Sequence, residues 1–141
     1  MKFVLDASVA LLWLVPQTNP SGIDYADATL TAMKESQAVV PSLFALEIAN
    51  VVAKVESKDV VTEADSQRFI SLLGQLNIET DQATMTHALG DTLNLARRYK
   101  LSAYDAAYLE LALRAGLPLS TLDADLAKAA TYAGVPIFGM H

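Results

Sequence analysis

Four acidic residues stand within or directly after apolar segments of the chain. Asp6 follows the run Phe3–Leu5, and Asp123 follows a short apolar stretch near the carboxyl end. Glu47 and Asp105 lie among Leu, Ile, Ala and Tyr residues. A buried carboxylate is costly unless it is paired, and few Lys or Arg residues lie near these four in sequence. Two carboxylates about 4 Å apart repel by roughly 4 kcal/mol at an effective dielectric near 20, so a cluster of them needs a counter-ion.

The residue types indicate which ion would suit such a cluster. The chain has no cysteine, which excludes zinc–thiolate, iron–sulfur and cysteine-nucleophile sites. Its two histidines, His87 and His141, have no serine or acid nearby in a nucleophile arrangement. Hard oxygen ligands without His or Cys match Mg²⁺ or Mn²⁺. The predicted catalytic and metal-binding residues are Asp6, Glu47, Asp105 and Asp123.

Short apolar runs alternate with helical patterns along the chain. The run at 3–5 has no polar alternation, which is typical of a strand buried on both faces of a sheet. Further strands are predicted at 38–40, 78–80, 117–120 and 134–138. Helices are predicted at 7–15, 21–36, from Ser42, from Thr62, at 82–99, 103–115 and 123–133. This order predicts a single α/β domain over residues 1–141, with a short central parallel sheet of four to five strands and helices on both faces.

That topology would bring the four acids to one edge of the sheet. Ligands of open α/β sheets bind beyond the carboxyl ends of the strands. Asp6 ends the first strand and Asp123 follows the fourth. Glu47 lies in the first two turns of the helix after the second strand. Asp105 lies near the N-terminus of the helix before the fourth strand. That helix runs antiparallel to the strand, so its N-terminus also lies at that edge.

Three of the four acids also have a purely structural interpretation. For Glu47 such an interpretation is weaker, because a helix face otherwise made of Leu, Ile and Ala accommodates a lone carboxylate poorly. Asp6 would serve as a helix cap, and Asp105 as a first-turn acid favoured by the helix dipole. Either Thr121 or Asp123 would be the N-cap of the last helix, which leaves Asp123 and Asp125 the most ambiguous. For the four acids taken together, the metal site is the favoured hypothesis.

The net charge and the apolar content of the chain indicate how it could bind nucleic acid and whether it associates with itself. The formal net charge of −6 argues against a purely electrostatic grip on nucleic acid. The one dense basic cluster is Arg97, Arg98 and Lys100, which would either complete a helix dipole or contact phosphate. Apolar residues make up 52% of the chain, and this excess predicts a homodimer, through residues 69–76 and the long helix after them.

No segment has the features of a membrane span or a cleaved leader. The apolar run at 9–15 is too short to cross a bilayer, and no small-residue cleavage site follows it. We therefore expect a soluble, cytoplasmic protein with no membrane partner.

In four segments the sequence resembles the PIN-domain family, above all the VapC toxins of bacterial and archaeal toxin–antitoxin pairs. The segments follow the family's order and span nearly the whole chain. They are Val4-Leu5-Asp6-Ala7-Ser8, Pro41-Ser42 with Glu47 and Asn50, residues 102–108, and residues 120–126.

This resemblance implies a Mg²⁺- or Mn²⁺-dependent endoribonuclease that is inhibited by a small antitoxin protein. The acidic pocket would consist of Asp6, Glu47, Asp105 and Asp123. Ser8 and Thr121 would assist through their hydroxyls, Asn50 would support Glu47 from the next helical turn, and Asp125 would be a further supporting acid. An amphipathic antitoxin segment would occupy a groove lined by Leu12, Trp13, Val15, Ile23 and Met33. The alternative is that Trp13 is simply a core residue.

Two other functions remain open at this point. A phosphatase would use Asp6 as nucleophile, but it would need a second acid two residues later, where Ser8 stands. A catalytically silent PIN-like binding module is the other alternative. The intact set of four acids argues against it, since loss of activity would be expected to erase at least one.

Overall fold

Four short strands form one parallel sheet at the centre of the molecule, in a computed structural model that describes residues 1–140. Their order across the sheet is β3-β2-β1-β4, and every neighbouring pair is parallel. The strands are β1 (Lys2–Leu5), β2 (Gln37–Val40), β3 (Ile78–Thr80) and β4 (Leu119–Ser120). The predicted α/β class with a short parallel sheet is therefore confirmed.

The apolar runs of the sequence account for the burial of the two central strands. Phe3, Val4 and Leu5 are fully buried, as expected for strands that helices cover on both faces. In the register, Val4 lies opposite Val39 on one side and Leu119 on the other. The core is thus centred on β1, and Asp6 leaves it at the carboxyl edge.

Eight α-helices surround the sheet in the described part of the chain. Thr62 and Asp65 form a reciprocal capping box at the start of the fourth, and Gly116 ends the seventh at a φ of +67°. The helices are α1 (Ala7–Ala10), α2 (Ile23–Ala32), α3 (Phe44–Ser57), α4 (Glu63–Gln75), α5 (Thr84–His87), α6 (Leu93–Tyr99), α7 (Ala103–Ala115) and α8 (Ala124–Tyr132).

Several predicted helices are shorter or more broken than their patterns suggested. The helix predicted at 7–15 is α1 followed by a 3₁₀ turn over Leu11–Trp13, and Pro16, which has no N–H to donate, lies beyond its end. The helix predicted at 82–99 consists of α5, a π-helical segment at Ala88–Thr92 and α6. Gly90 lies in that π segment, where a glycine weakens regular helix. The strand predicted at 134–138 is reduced to one bridge between Ile137 and Leu119.

Two predicted helix starts are wrong. The Ser21 hydroxyl donates to the side chain of Asn19 and does not cap α2, which begins at Ile23. The Ser42 backbone N–H donates to the hydroxyl of Thr84 at 3.0 Å, and α3 begins later, at Phe44. For Ser21 a contact outside the helix takes the hydroxyl that was expected to cap it, whereas at α3 the N-cap position falls on Leu43.

The groove predicted beside the first helix is wrong as well. Leu12, Val15 and Met33 are buried in the molecule's own core, so they present no apolar surface. Trp13 is partly buried and its Nε1 donates to the carbonyl of Ala26 at 2.9 Å, which ties the 3₁₀ turn to α2. Within residues 1–140, no helix combines the length and apolar sequence that crossing a bilayer requires.

Candidate active site

Asp6 occupies the deepest position at the carboxyl edge of the sheet. Its side chain is buried, and its Oδ2 accepts hydrogen bonds from the hydroxyls of Ser8 at 2.6 Å and Thr121 at 2.7 Å. Burial raises the pKa of Asp6 to about 6, from an ordinary value of 3.8. The two hydroxyls oppose that rise, whereas the charges of Glu47 and Asp123 add to it. Asp6 is therefore a buried carboxylate that no Lys or Arg of residues 1–140 neutralises.

The two hydroxyls also join separate loops. The Ser8 hydroxyl accepts from the backbone N–H of Leu122 at 3.0 Å, and the Thr121 hydroxyl accepts from that of Asp123 at 3.0 Å. The turn after β1 is thereby held against the loop between β4 and α8. These contacts place the end of one strand and the segment after another at a common edge, where the sequence predicted them to meet.

Glu47 reaches the edge from the first turn of α3. Its side chain is half-buried, and its Oε1 accepts a hydrogen bond from the hydroxyl of Tyr108 at 2.5 Å. Burial is the main cause of a raised pKa for Glu47; the Tyr108 hydroxyl lowers it and the charge of Asp105 raises it. Asn50, predicted to support Glu47, has an exposed side chain one turn later.

Tyr108 is the residue of this site whose role the sequence did not predict. It is fully buried on α7, one turn after Asp105, and its pKa is raised chiefly by burial. The available signal was a tyrosine within the apolar part of a helix, since a buried phenol needs a hydrogen-bond partner. The sequence alone did not show that the partner is Glu47.

Asp105 lies in the first turn of α7, whose N-cap is Ser102. The Asp105 N–H donates to the Ser102 hydroxyl at 3.1 Å. The pKa of Asp105 is raised to about 6. Burial is the largest cause, the charges of Asp123 and Asp6 follow in that order, and the charge of Asp125 contributes less. The charges of three other acids, from two other segments of the chain, thus contribute to the raised pKa of this carboxyl group.

Asp123 has both of the roles that the sequence left open. It is the N-cap of α8, where its Oδ1 accepts from the backbone N–H of Leu126 at 2.9 Å. Its charge also raises the pKa of both Asp6 and Asp105. Asp125 is exposed in the first turn of the same helix. A capping acid and a member of an acidic pocket are here the same residue.

The four carboxylates are close enough to influence one another electrostatically, and hydrogen bonds orient those of Asp6, Glu47 and Asp123. In the described residues no three Asp, Glu or His side chains are positioned to hold a metal ion together. No Lys or Arg of residues 1–140 forms an ion pair with any of the four. The donor set is made of hard oxygens that no Lys or Arg of residues 1–140 neutralises, which fits Mg²⁺ or Mn²⁺ in its chemistry.

The remaining candidates lie elsewhere. The guanidinium of Arg97 donates to the side chain of Asn94, whereas Arg98 and Lys100 line a groove beside α8. His87 lies 3.8 Å from Asp91 on the broken helix, and His141 is outside the described residues.

Comparisons with known proteins agree with this architecture. A family model described as the PIN domain matches residues 3–132. Ribonuclease VapC3 from Pyrobaculum aerophilum is 28% identical over 128 residues, which are 91% of this chain and 94% of the relative.

Two solved structures are similar in fold. The crystal structure of PAE2754 from Pyrobaculum aerophilum has a TM-score of 0.63 and 21% identity, over 92% of this chain and 87% of that one. VapBC2 from Rickettsia felis, bound to a DNA fragment from their promoter, has a TM-score of 0.64 and 18% identity, over 91% and 92%. Each similarity extends over nearly the whole length of both chains.

Proposed function

The chain belongs to the PIN-domain family, and from that premise we propose that it is a Mg²⁺- or Mn²⁺-dependent endoribonuclease, the toxin of a type II toxin–antitoxin pair acting in the cytoplasm. The observation that carries the proposal is the set of carboxylates at one sheet edge, with which no Lys or Arg of residues 1–140 forms an ion pair. Burial, and then the charges of neighbouring acids, raise the pKa of Asp6, Glu47 and Asp105. The ribonuclease named among the relatives supports RNA as the substrate.

The donor set fits the proposed ion in chemistry. Asp6, Glu47 and Asp105 would hold it, and Asp123 would complete the site or hold a second ion. When bound, the ion activates a water molecule and offsets negative charge on the phosphate.

The chain's own groups prepare the carboxylates for this role. The hydroxyls of Ser8 and Thr121 both bond to Oδ2 of Asp6, which leaves its Oδ1 available. Tyr108 holds Oε1 of Glu47 in the same way. Burial, and then the charges of Asp123 and Asp6, raise the pKa of the Asp105 carboxyl to about 6 in the metal-free protein. A bound cation would lower this pKa again, so Asp105 would hold the ion as a carboxylate at neutral pH.

The antitoxin partner is proposed to bind an apolar groove between α3 and α4. This groove has a volume of about 590 Å³, and it replaces the one predicted beside the first helix. It is lined on α3 by the exposed Ala45, Ala49 and Ala53 together with the buried Ile48 and Val52, and on α4 by Ile70 and Leu73. Such a groove suits an amphipathic helix that inserts apolar residues at intervals of three and four positions. VapBC2, a similar fold, supports this kind of partner.

We propose further that the chain forms a homodimer through the broken helix that follows α4. Met85 and Leu89 are 73% and 88% exposed and lie one turn apart. Phe69, in the other predicted contact region, is buried in the chain's own core, while Ile70 is 47% exposed. Sedimentation of the partner-free protein at tens of micromolar should give the mass of a dimer, and a monomer would contradict this.

A ribonuclease assay with matched variants tests the enzymatic proposal. The wild type should cleave RNA with Mg²⁺ or Mn²⁺ and not with EDTA. Asp105→Asn should lose most activity, whereas Asp91→Asn, which removes an equal charge from the exposed π segment, should retain it. Hydrolysis of a small phosphate ester without RNA cleavage would favour the phosphatase, and neither activity would favour the binding module.

A further inference from the structure

The helix that carries Glu47 begins differently from the other helices of the candidate site. Ser102 caps α7 and Asp123 caps α8, each by accepting a backbone N–H through its own side chain. The N-cap position of α3 falls on Leu43, which makes no side-chain cap hydrogen bond. The start of α3, with Glu47 in its first turn, therefore lacks the local contact that fixes the starts of α7 and α8.

Thr84 supplies a contact to this helix start from a distant segment. Thr84 is 5% exposed at the start of α5, and its hydroxyl accepts the backbone N–H of Ser42 at 3.0 Å, across 42 positions of the chain. The next residue, Leu43, has a carbonyl that accepts the N–H of Glu47 at 3.0 Å. Two hydrogen bonds, joined through the backbone of Ser42 and Leu43, thus connect the Thr84 hydroxyl to the backbone of Glu47.

The neighbours of Thr84 fix the direction of its hydroxyl. Its Oγ1 lies 2.9 Å from Oδ2 of Asp81, whose Oδ1 accepts from the N–H of Ala83. A hydrogen bond from Arg114 is the main cause that holds the pKa of Asp81 below its ordinary value of 3.8, so this carboxyl group is ionised and only accepts hydrogen bonds. The Thr84 hydroxyl therefore donates to Asp81 and keeps a lone pair for the Ser42 N–H.

The side chain of Glu47 is held separately from its backbone. The Tyr108 hydroxyl donates to its Oε1, and Tyr108 lies on α7, one turn after Asp105. A hydrogen bond at the tip of a side chain orients it reproducibly only if the backbone behind it stays in place. Loss of the Thr84 contact would let the start of α3, and Glu47 with it, shift relative to Asp105.

We propose that Thr84 is a positioning residue of the candidate site: its hydroxyl serves as a helix cap supplied by another segment, and it holds the start of α3 so that Glu47 stays beside Asp105. This inference rests on the proposed function, which gives Glu47 a part in holding Mg²⁺ or Mn²⁺. Within residues 1–140 the Thr84 side chain forms no hydrogen bond with any of the four acids, so its effect on metal binding would be indirect.

The affinity for Mn²⁺, titrated by electron paramagnetic resonance, tests this role without relying on cleavage. Thr84→Val keeps the β-branched shape and removes the hydroxyl. It should weaken Mn²⁺ binding about threefold to tenfold, less than the ~10–100-fold that loss of a direct partner of a metal ligand causes. Thr84→Ser keeps the hydroxyl and should bind Mn²⁺ within about twofold of the wild type. Thr84→Ala should match Thr84→Val, because both lack the hydroxyl.

A second substitution separates positioning from a general loss of structure. In a Glu47→Gln background, Thr84→Val should weaken Mn²⁺ binding by less than about twofold, because it acts through Glu47. Ser66→Ala is the matched control. It removes a buried hydroxyl of α4 that donates to the Thr62 carbonyl, and it should leave the Mn²⁺ affinity unchanged. At subsaturating Mn²⁺, Thr84→Val should lower kcat for RNA while KM changes by less than about twofold.

The proposal is overturned if Thr84→Val binds Mn²⁺ as the wild type does, if Thr84→Ser binds as weakly as Thr84→Val, or if Thr84→Val is equally harmful in the Glu47→Gln background. RNA cleavage by the wild type is scored separately. Mn²⁺ binding that depends on Thr84, without any RNA cleavage, would contradict the proposed function alone. RNA cleavage together with a Mn²⁺ affinity that is independent of Thr84 would contradict this inference alone.

Discussion

Two groups of carboxylates lie partly or fully buried in this molecule, and they differ in whether a cation accompanies them. Asp81 and Glu110 share the guanidinium of Arg114, which donates to Asp81 at 2.7 and 3.1 Å and to Glu110 at 2.7 and 3.0 Å. Asp6 and Asp105 have no such partner within residues 1–140. The pKa of Asp81 is accordingly lowered by Arg114, whereas those of Asp6 and Asp105 rise to about 6.

The paired group acts as a structural connection. Arg114 joins α7 to the end of β3, and Asp81 also accepts from the hydroxyl of Thr84, which in turn accepts from the Ser42 N–H. That chain of contacts leads to the start of α3, the helix that carries Glu47. The ion-paired group of Asp81, Glu110 and Arg114 thus connects elements of the scaffold. The acids at the sheet edge repel one another, and a bound cation would relieve this repulsion.

Removing the cation of the paired group should have the largest effect on stability. Arg114→Met should lower the free energy of unfolding by about 3 kcal/mol, because Glu110 would remain buried without a partner. Urea denaturation at neutral pH measures this. The double variant Glu110→Gln/Arg114→Met should recover part of the loss, and a double variant less stable than the single one would contradict the interpretation.

Adding a cation to the unpaired group should have a comparable effect of opposite sign. Mg²⁺ at a hundredfold excess over its dissociation constant should stabilise the wild type by about 2.7 kcal/mol. Asp105→Asn should respond much less, while Arg114→Met should keep the full response. Thermal melts in EDTA and in Mg²⁺ compare the three proteins. Equal responses of wild type and Asp105→Asn would exclude Asp105 from the metal site.

The hydrogen bond between Tyr108 and Glu47 should contribute a smaller amount. Tyr108→Phe should cost about 1.5 kcal/mol of stability, since a half-buried carboxylate loses a donor. It should also raise the pKa of Glu47, which the hydroxyl now lowers, and shift the acidic limb of the cleavage–pH profile to higher pH. Tyr25→Phe removes a similar hydroxyl bond, to the Phe138 carbonyl, and should leave that profile unmoved.

Removing one of the mutually repelling carboxylates in the absence of metal should have the smallest effect on stability. Asp105→Asn should stabilise the EDTA-treated protein by about 1 kcal/mol at neutral pH, a value reduced from the full pKa shift because the carboxyl is only half-buried. A carboxyl whose pKa is raised by folding favours the folded state below its unfolded value of 3.8, and this benefit is lost as pH rises through about 6. Melting temperatures from pH 4 to 7 should therefore fall more steeply for the wild type. A destabilised variant would indicate a helix-dipole role only.

Some of the site was predictable because its signals are local or topological. The run at 3–5 predicted a buried strand, and the parallel order of the elements predicted that Asp6 and Asp123 would meet at one edge. The start of α7 at Ala103 followed from the residues around it, as did its end at Gly116. The strand predicted at 134–138 did not form, because only one residue of this edge segment, Ile137, forms a bridge with the neighbouring strand, at Leu119.

The amino-acid sequence by itself determined the α/β class, the order of strands and helices and the edge at which the acids gather, because apolar periodicity depends on nearby residues and alternating strands and helices favour a parallel sheet. Only the tertiary structure decided the partners of those acids. Thr121 bonds to Asp6 across 115 positions, Tyr108 to Glu47 across 61, and Arg114 to Asp81 across 33. Such contacts depend on the distance and rotation at which whole elements pack, and those are set by the entire core, so no local window of sequence encodes them.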